Sequence, residues 1–292
     1  MPSASPSIFS GFRINFQQSI AGVGRATLLL LEACSALVSP PFRFKLFFKQ
    51  MEFIGNKSLW ITILTGTFTG KVLTIQSYFA LKTFSSESIV GGMVAVSMTR
   101  ELGPVLTALM VNARAGSAIA AELGTMRVTE QIDALQSLAV NPVQYLVTPR
   151  ILAGLVMLPS LTMVANFTGI LGSYLVGVLL LGVDSGIFLS KIESFVELRD
   201  IWGSLIKAAI FGVVLTHVGC YKGYFTENGA EGVGRATTEA VSFSALTHKK
   251  LLRAAARTCS GSLPPRSSAT PAAAVAASPR DINHDWILMM TS

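Results

Sequence analysis

The sequence predicts an all-α integral membrane protein, and three observations carry that prediction. Only 13% of the 292 residues are charged, about half the share of roughly 25% found in soluble domains. Hydrophobic residues make up 51% of the chain and the mean hydropathy is +0.55. The stretch from Ile151 to Val183 contains no Asp, Glu, Lys, Arg or His, and a run of about 20 apolar residues is already long enough to cross a bilayer.

Residues 1–57 form an N-terminal segment. Its first residues lack a basic region followed by a short apolar core, so no cleavable signal is expected. Residues 8–38 are mildly apolar and stop at Pro40-Pro41. Beyond them Phe44, Phe47, Phe48, Met51 and Ile54 recur at helical spacing, with Arg43, Lys45 and Lys49 off the stripe. That pattern predicts an amphipathic helix lying in the membrane interface. Residues 58–241 read as a transmembrane domain with four evident spans. The first runs over Leu59–Leu81 and carries Lys71; a polar turn at 82–88 leads into a second that starts near Ile89. Residues 122–150 are polar enough to leave the membrane, with a short helix over Thr129–Ala139 ended by Asn141-Pro142. The third span lies within 151–183, with Pro159 as a point of interruption. A polar loop over 184–200 precedes the fourth, Ile201–Tyr221, which contains Lys207 and His217. From residue 242 to 292 the composition turns to Ala, Ser, Pro and Arg, which predicts a disordered tail.

The net charge of +7 sits beside apolar segments rather than on a soluble surface. Arg13, Arg25, Arg43, Lys45, Lys49 and Lys57 precede the first span, which predicts a cytoplasmic N-terminus facing anionic headgroups and no nucleic-acid partner. The turn at 82–88 and the loop at 184–200 then lie on the far side, and 122–150 and 222–240 inside. Cys34, Cys220 and Cys259 are widely spaced with no CxxC, so no disulfide framework is expected.

The segment Met98–Gly124 places Arg100, Glu101 and Arg114 inside an apolar span, where charges cost several kcal/mol (on the order of 3) unless paired or facing a cavity. Two readings stay open: a structural ion-pair set between spans, or the lining of a polar cavity for a charged headgroup, to which Lys71 and Lys207 could also belong. Pro104 in the same helix frees a backbone carbonyl. Gly116, Ala120 and Gly124 form a ladder of small residues, which serves either internal helix packing or a homodimer seam. In the 129–139 helix, Glu130 and Asp133 favour the positive end of the helix dipole, while Ile132, Leu135 and Leu138 form an apolar edge suited to docking a partner. Catalytic signatures are missing. His217, His248 and His284 share no metal-ligand spacing, and no metal site is expected. The sequence from Gly66 to Val72 is not a phosphate loop, because three residues separate its glycines and Val72 stands where a magnesium-binding hydroxyl is needed. Any ATP must be bound by another subunit.

Several stretches in order, Thr99–Leu109, Ala118–Met126, Thr129–Leu135, Pro149-Arg150 and Gly229–Thr238, closely resemble the MlaE-like permease family over roughly residues 10–242. The resemblance implies the membrane subunit of an ABC transporter that moves phospholipids between membranes. It implies a homodimer with an N-terminal interfacial helix and five spans per subunit, in a bacterial inner membrane or, alternatively, the chloroplast inner envelope. The implied partners are a cytoplasmic ATPase, which uses ATP and magnesium while this chain binds no cofactor, and an MCE-domain lipid-binding protein on the far side. Glu130, Gln131, Ile132, Asp133 and Leu135 match the family's ATPase-coupling helix. Arg100 and Glu101 match its polar pair, and Gly229, Gly232 and Gly234 belong to its cytoplasmic glycine loop. That loop is expected to lead into a fifth span near Ala240. Here the apolar run fails within a few residues, as a truncation or a shifted reading frame would produce. Two other classes compete: an intramembrane lipid-modifying enzyme using Glu101, His217 or Lys207, and an ion-coupled carrier.

Overall fold

The computed structural model describes residues 22, 24–36, 44–226, 229, 231–242 and 244. The predicted tail therefore lies outside the described residues, save for Ser242 and Ser244, and so do Cys259, His248 and His284. The described chain is helical throughout: α1 (24–36), α2 (Phe44–Lys82), α3 (Glu87–Val128), α4 (Gln131–Ser137), α5 (Val143–Leu180), α6 (Ser185–Phe195), α7 (Leu198–Tyr224) and α8 (231–242). Four of these, α2, α3, α5 and α7, are long and apolar enough to cross a membrane, which makes this a multi-pass α-helical membrane protein.

Small residues decide how the spans meet, as expected where lipid offers no hydrophobic driving force between helices. Along α2 and α5, Gly70 lies against the Gly169 carbonyl and Gly66 against Ala165, so even a methyl group at Gly70 would collide with backbone. Gly154 of α5 and Gly212 of α7 approach each other the same way. Buried hydroxyls add cross-links: Thr74 Oγ1 donates to Ser173 Oγ at 2.7 Å, and Asn166 Nδ2 to Ser204 Oγ at 3.3 Å.

Several sequence boundaries shift. The amphipathic stretch at 44–54 is not a separate helix: α2 runs unbroken for 39 residues, about 60 Å at 1.5 Å per residue, so one rod carries both the interfacial end and the span. Helix α3 continues past residue 122 to Val128 and holds two turns of π-helix, Met98–Leu102 and Asn112–Gly116. In these the N–H of Gly103 reaches Met98 O and that of Ser117 reaches Asn112 O, one residue further than in an α-helix. Pro159 does not interrupt α5. A proline removes one hydrogen bond, and the packed neighbours of a membrane helix tolerate that loss.

The polar loop at 184–200 is largely helix. Asp184 caps α6 by accepting from the Ile187 N–H at 2.9 Å. Glu197 and Asp200 form a capping box that starts α7. Phe188 of α6 is fully buried, its ring edge-on to Tyr174 and set against Gly91 and Gly177. An aromatic anchor of this kind holds α6 across the first turns of α3.

Candidate functional site

Two ion pairs join the first π-helical turn of α3 to α7. Arg100 makes a bidentate contact with Asp200, Nε to Oδ1 at 2.7 Å and Nη2 to Oδ2 at 3.1 Å. Lys207 Nζ lies 2.7 Å from Glu101 Oε1 and 3.0 Å from the backbone oxygen of Arg100. That carbonyl is the one Pro104 leaves without its i+4 donor, so the ammonium completes a backbone bond that the proline removed. Arg100 and Glu101 do not pair with each other: consecutive helical residues point about 100° apart, and each takes its partner from α7. Asp200, Ser204 and Lys207 recur at i, i+4 and i+7, which places all three on the α7 face turned to α3 and α5.

The network is half open. Side-chain exposure is 36% for Arg100, 36% for Glu101 and 30% for Lys207, against 9% for Asp200. Its charges sum to zero, which lowers the cost of holding them within an apolar span. Asn166 extends the polar strip inward: it is buried, bonded to Ser204, and its Oδ1 rests on Gly103.

Arg114 stands apart, more than three turns further along α3 and about 20 Å from Glu101 along the axis. Both terminal guanidinium nitrogens donate to the Phe53 carbonyl at 3.1 Å, one also reaches Ser58 Oγ at 2.6 Å, and the group lies over the Phe53 ring. It pins α3 to α2. Lys71 lies on α2 over the Phe68 ring and makes no ion pair with the network. His217 lies ten residues beyond Lys207 on α7, about 15 Å away along the helix, with its Nδ1 buried and without a hydrogen-bond partner. Of the three groups that an intramembrane enzyme would draw on, Glu101 and Lys207 meet as an ion pair, and His217 lies well away from both. Among the described residues no cluster of His, Cys, Asp and Glu could hold a metal.

The small-residue ladder faces α7 of the same chain. Gly219 meets the Gly116 carbonyl, Gly223 meets Ala120, and Gly124 lies against Thr226 and Val233. The Asn112 amide, in the second π-helical turn, donates to Val241 O at 3.0 Å. Within α8, Glu239 lies 2.7 Å from Lys222 and 2.9 Å from Arg235. The hydrogen bond from Lys222, with help from Arg235, holds its carboxyl below the usual carboxylate range. Gly229 takes a left-handed conformation with φ 63°, and Gly232 and Gly234 fall within α8.

At the opposite end from the α6 cap, α4 hangs between α3 and α5. Glu130 starts it in a left-handed conformation with φ 60°, and Ile132 is fully buried. Asp133 lies 2.6 Å from Arg127. Gln131, Ile132 and Leu135 line a hollow of about 390 Å³ with Met126, Tyr145 and Leu146. The helix is shorter than the sequence indicated, because Ala139, in a left-handed conformation with φ 57°, ends it early.

The family model described as Permease MlaE matches residues 47–247. The chain belongs to the MlaE permease family. An intermembrane phospholipid transport system permease protein MlaE from Haemophilus influenzae is 41% identical over 225 residues, covering 77% of this chain and 86% of that protein. A probable ABC transporter permease protein from Rickettsia bellii is 44% identical over 219 residues, covering 75% and 85%. The protein TRIGALACTOSYLDIACYLGLYCEROL 1, chloroplastic, from Arabidopsis thaliana is 39% identical over 196 residues, 67% of this chain and 56% of that one.

In this MlaE-family chain the sequence pointed to Arg100, Glu101 and Lys207 but passed over Asp200 and Asn166 as members of the site. Asp200 carried a usable signal, its i, i+7 relation to Lys207. Asn166 carried none, since one polar residue in an apolar run says nothing about the helix it faces.

Proposed function

We propose that this chain is the membrane permease subunit of an ATP-driven transporter that moves phospholipids between membranes. Two copies would form the permease, with a cytoplasmic ATP-hydrolysing subunit docked on α4 and an MCE-domain lipid-binding protein on the face of α6. ATP and magnesium would act on that ATPase and not on this chain. A bacterial inner membrane is the expected location, with the chloroplast inner envelope as the alternative.

The observation that carries this reading is the half-open network of Arg100, Glu101, Asp200 and Lys207. Trp202, Ile206 and Ile210, 61%, 59% and 49% exposed, form a separate apolar stripe further round α7, while Arg100, Glu101 and Lys207 stay partly open. Acyl chains cannot solvate three partly exposed charges, so this face adjoins a polar compartment. A charged recess within an apolar span suits an amphiphile with a headgroup. Closure of the partner ATPase on ATP would rock α4 and reshape that compartment. The relative from Haemophilus influenzae that is named for intermembrane phospholipid transport supports the same substrate class.

Affinity purification of the tagged chain from membranes that also express a candidate ATPase tests the reading. Stoichiometric recovery of the ATPase, with phospholipid movement that needs ATP, is the expected result. Lipid turnover by the purified chain without ATP would favour the enzyme reading instead, and proton-driven flux without ATP a carrier.

A further inference from the structure

Helix α4 has two roots, the end of α3 and the start of α5, and one side chain ties them together from inside. Arg150 of α5 is 3% exposed, and its Nη2 lies 2.9 Å from Glu122 Oε2 of α3. Its Nη1 donates to the Leu146 carbonyl at 2.7 Å. Leu146 lies in the π-helical turn that opens α5 and also lines the hollow beside α4. Gly223 of α7 packs on Leu123, the residue next to Glu122. One guanidinium thus touches the ends of two spans and borders a third, directly behind the α4 seat.

We propose that Glu122 and Arg150 form the pin that carries displacement of α4 into the bundle, as positioning residues for transport. This rests on the docking role proposed for α4. A push on α4 loads α5 through Leu146 and α3 through the Asp133–Arg127 contact. Without the pin the two roots move independently, and α3 does not carry the motion on to Arg100 and Glu101. Stability alone is a poor reason for the pair. An ion pair with one partner buried and the other partly exposed contributes little to stability in itself, and Arg150 Nε is buried with no partner. Its geometry, bridging two roots, is what a mechanical link requires.

The test uses the full chain co-purified with its ATPase and placed in vesicles of phosphatidylethanolamine and phosphatidylglycerol. Movement of fluorescent phosphatidylethanolamine is measured per ATP hydrolysed. Glu122→Gln and Arg150→Gln should each lower that ratio by about tenfold, a coupling change of ordinary size, in complexes that still contain the ATPase. The exchanged pair, Glu122→Arg with Arg150→Glu, should recover most of it. A loss of transport that only follows the amount of assembled complex, with the ratio unchanged, overturns the proposal and leaves the transporter reading standing. A wild-type chain that recruits no ATPase overturns both. Should Arg150→Gln fail to fold, Glu122→Gln decides, because its side chain is 43% exposed.

Discussion

Lys207 does two jobs with one ammonium group: it neutralises Glu101 and occupies the carbonyl that Pro104 frees. Replacing it with Met removes both contacts while keeping most of the apolar stem. Lys207→Met should therefore destabilise the protein by about 1 kcal/mol, at the low end of the cost of orphaning a hydrogen-bonded partner because the network is half open. The readout is a lower unfolding temperature in detergent, and an unchanged temperature would show that water already satisfies Glu101 and the Arg100 carbonyl. Arg114 makes the opposite point. It resembles Arg100 in the sequence, but both its terminal guanidinium nitrogens fasten α3 to α2. Residue type alone could not distinguish a charge that faces a compartment from one that caps a carbonyl.

At the scale of elements, the spans are held by backbone approach more than by side-chain interdigitation. Gly70→Leu would drive four carbons into the Gly169 carbonyl and should separate α2 from α5, giving aggregated material in size-exclusion chromatography. Gly203→Leu is the matched control: nothing lies within 4 Å of the position where its Cβ would sit, so a single sharp peak is expected. Equal behaviour of the two variants would mean that α2 and α5 can part without loss of the fold. The two π-helical turns of α3 have a shared consequence. Each rotates the helix at a polar residue, Arg100 and Glu101 in one and Asn112 in the other, so that these side chains reach α7 and α8. Their positions were not legible in the sequence, because a π-helical turn depends on which neighbour satisfies the displaced carbonyls.

At the scale of the molecule, the polar network lies toward the α6 end of the bundle and the docking helix at the other, with α3 spanning the distance between them. Any action of α4 on the network must pass along that helix. Glu130→Lys with Asp133→Lys reverses the charge of the docking face and removes the Arg127 contact. The double variant should reach the membrane normally but recover little ATPase in co-purification, while unchanged recovery would remove α4 from the docking role. The spans themselves were readable because lipid imposes length and apolarity on any helix that crosses it. The partners of each charge were not, since they come from helices about 100 residues apart, as with Arg100 and Asp200.

The sequence by itself determined that this chain is an all-α membrane protein, where its four spans lie, and which motifs relate it to the MlaE permeases. These are local properties: hydropathy over a window, and residues in fixed order. Only the tertiary structure decided that Arg100 and Glu101 look to α7 and not to each other, that the small-residue ladder faces the same chain, and that Arg150 bridges the roots of α4. Each of those depends on which distant helix face arrives opposite, and in lipid that is set by how closely two backbones can approach.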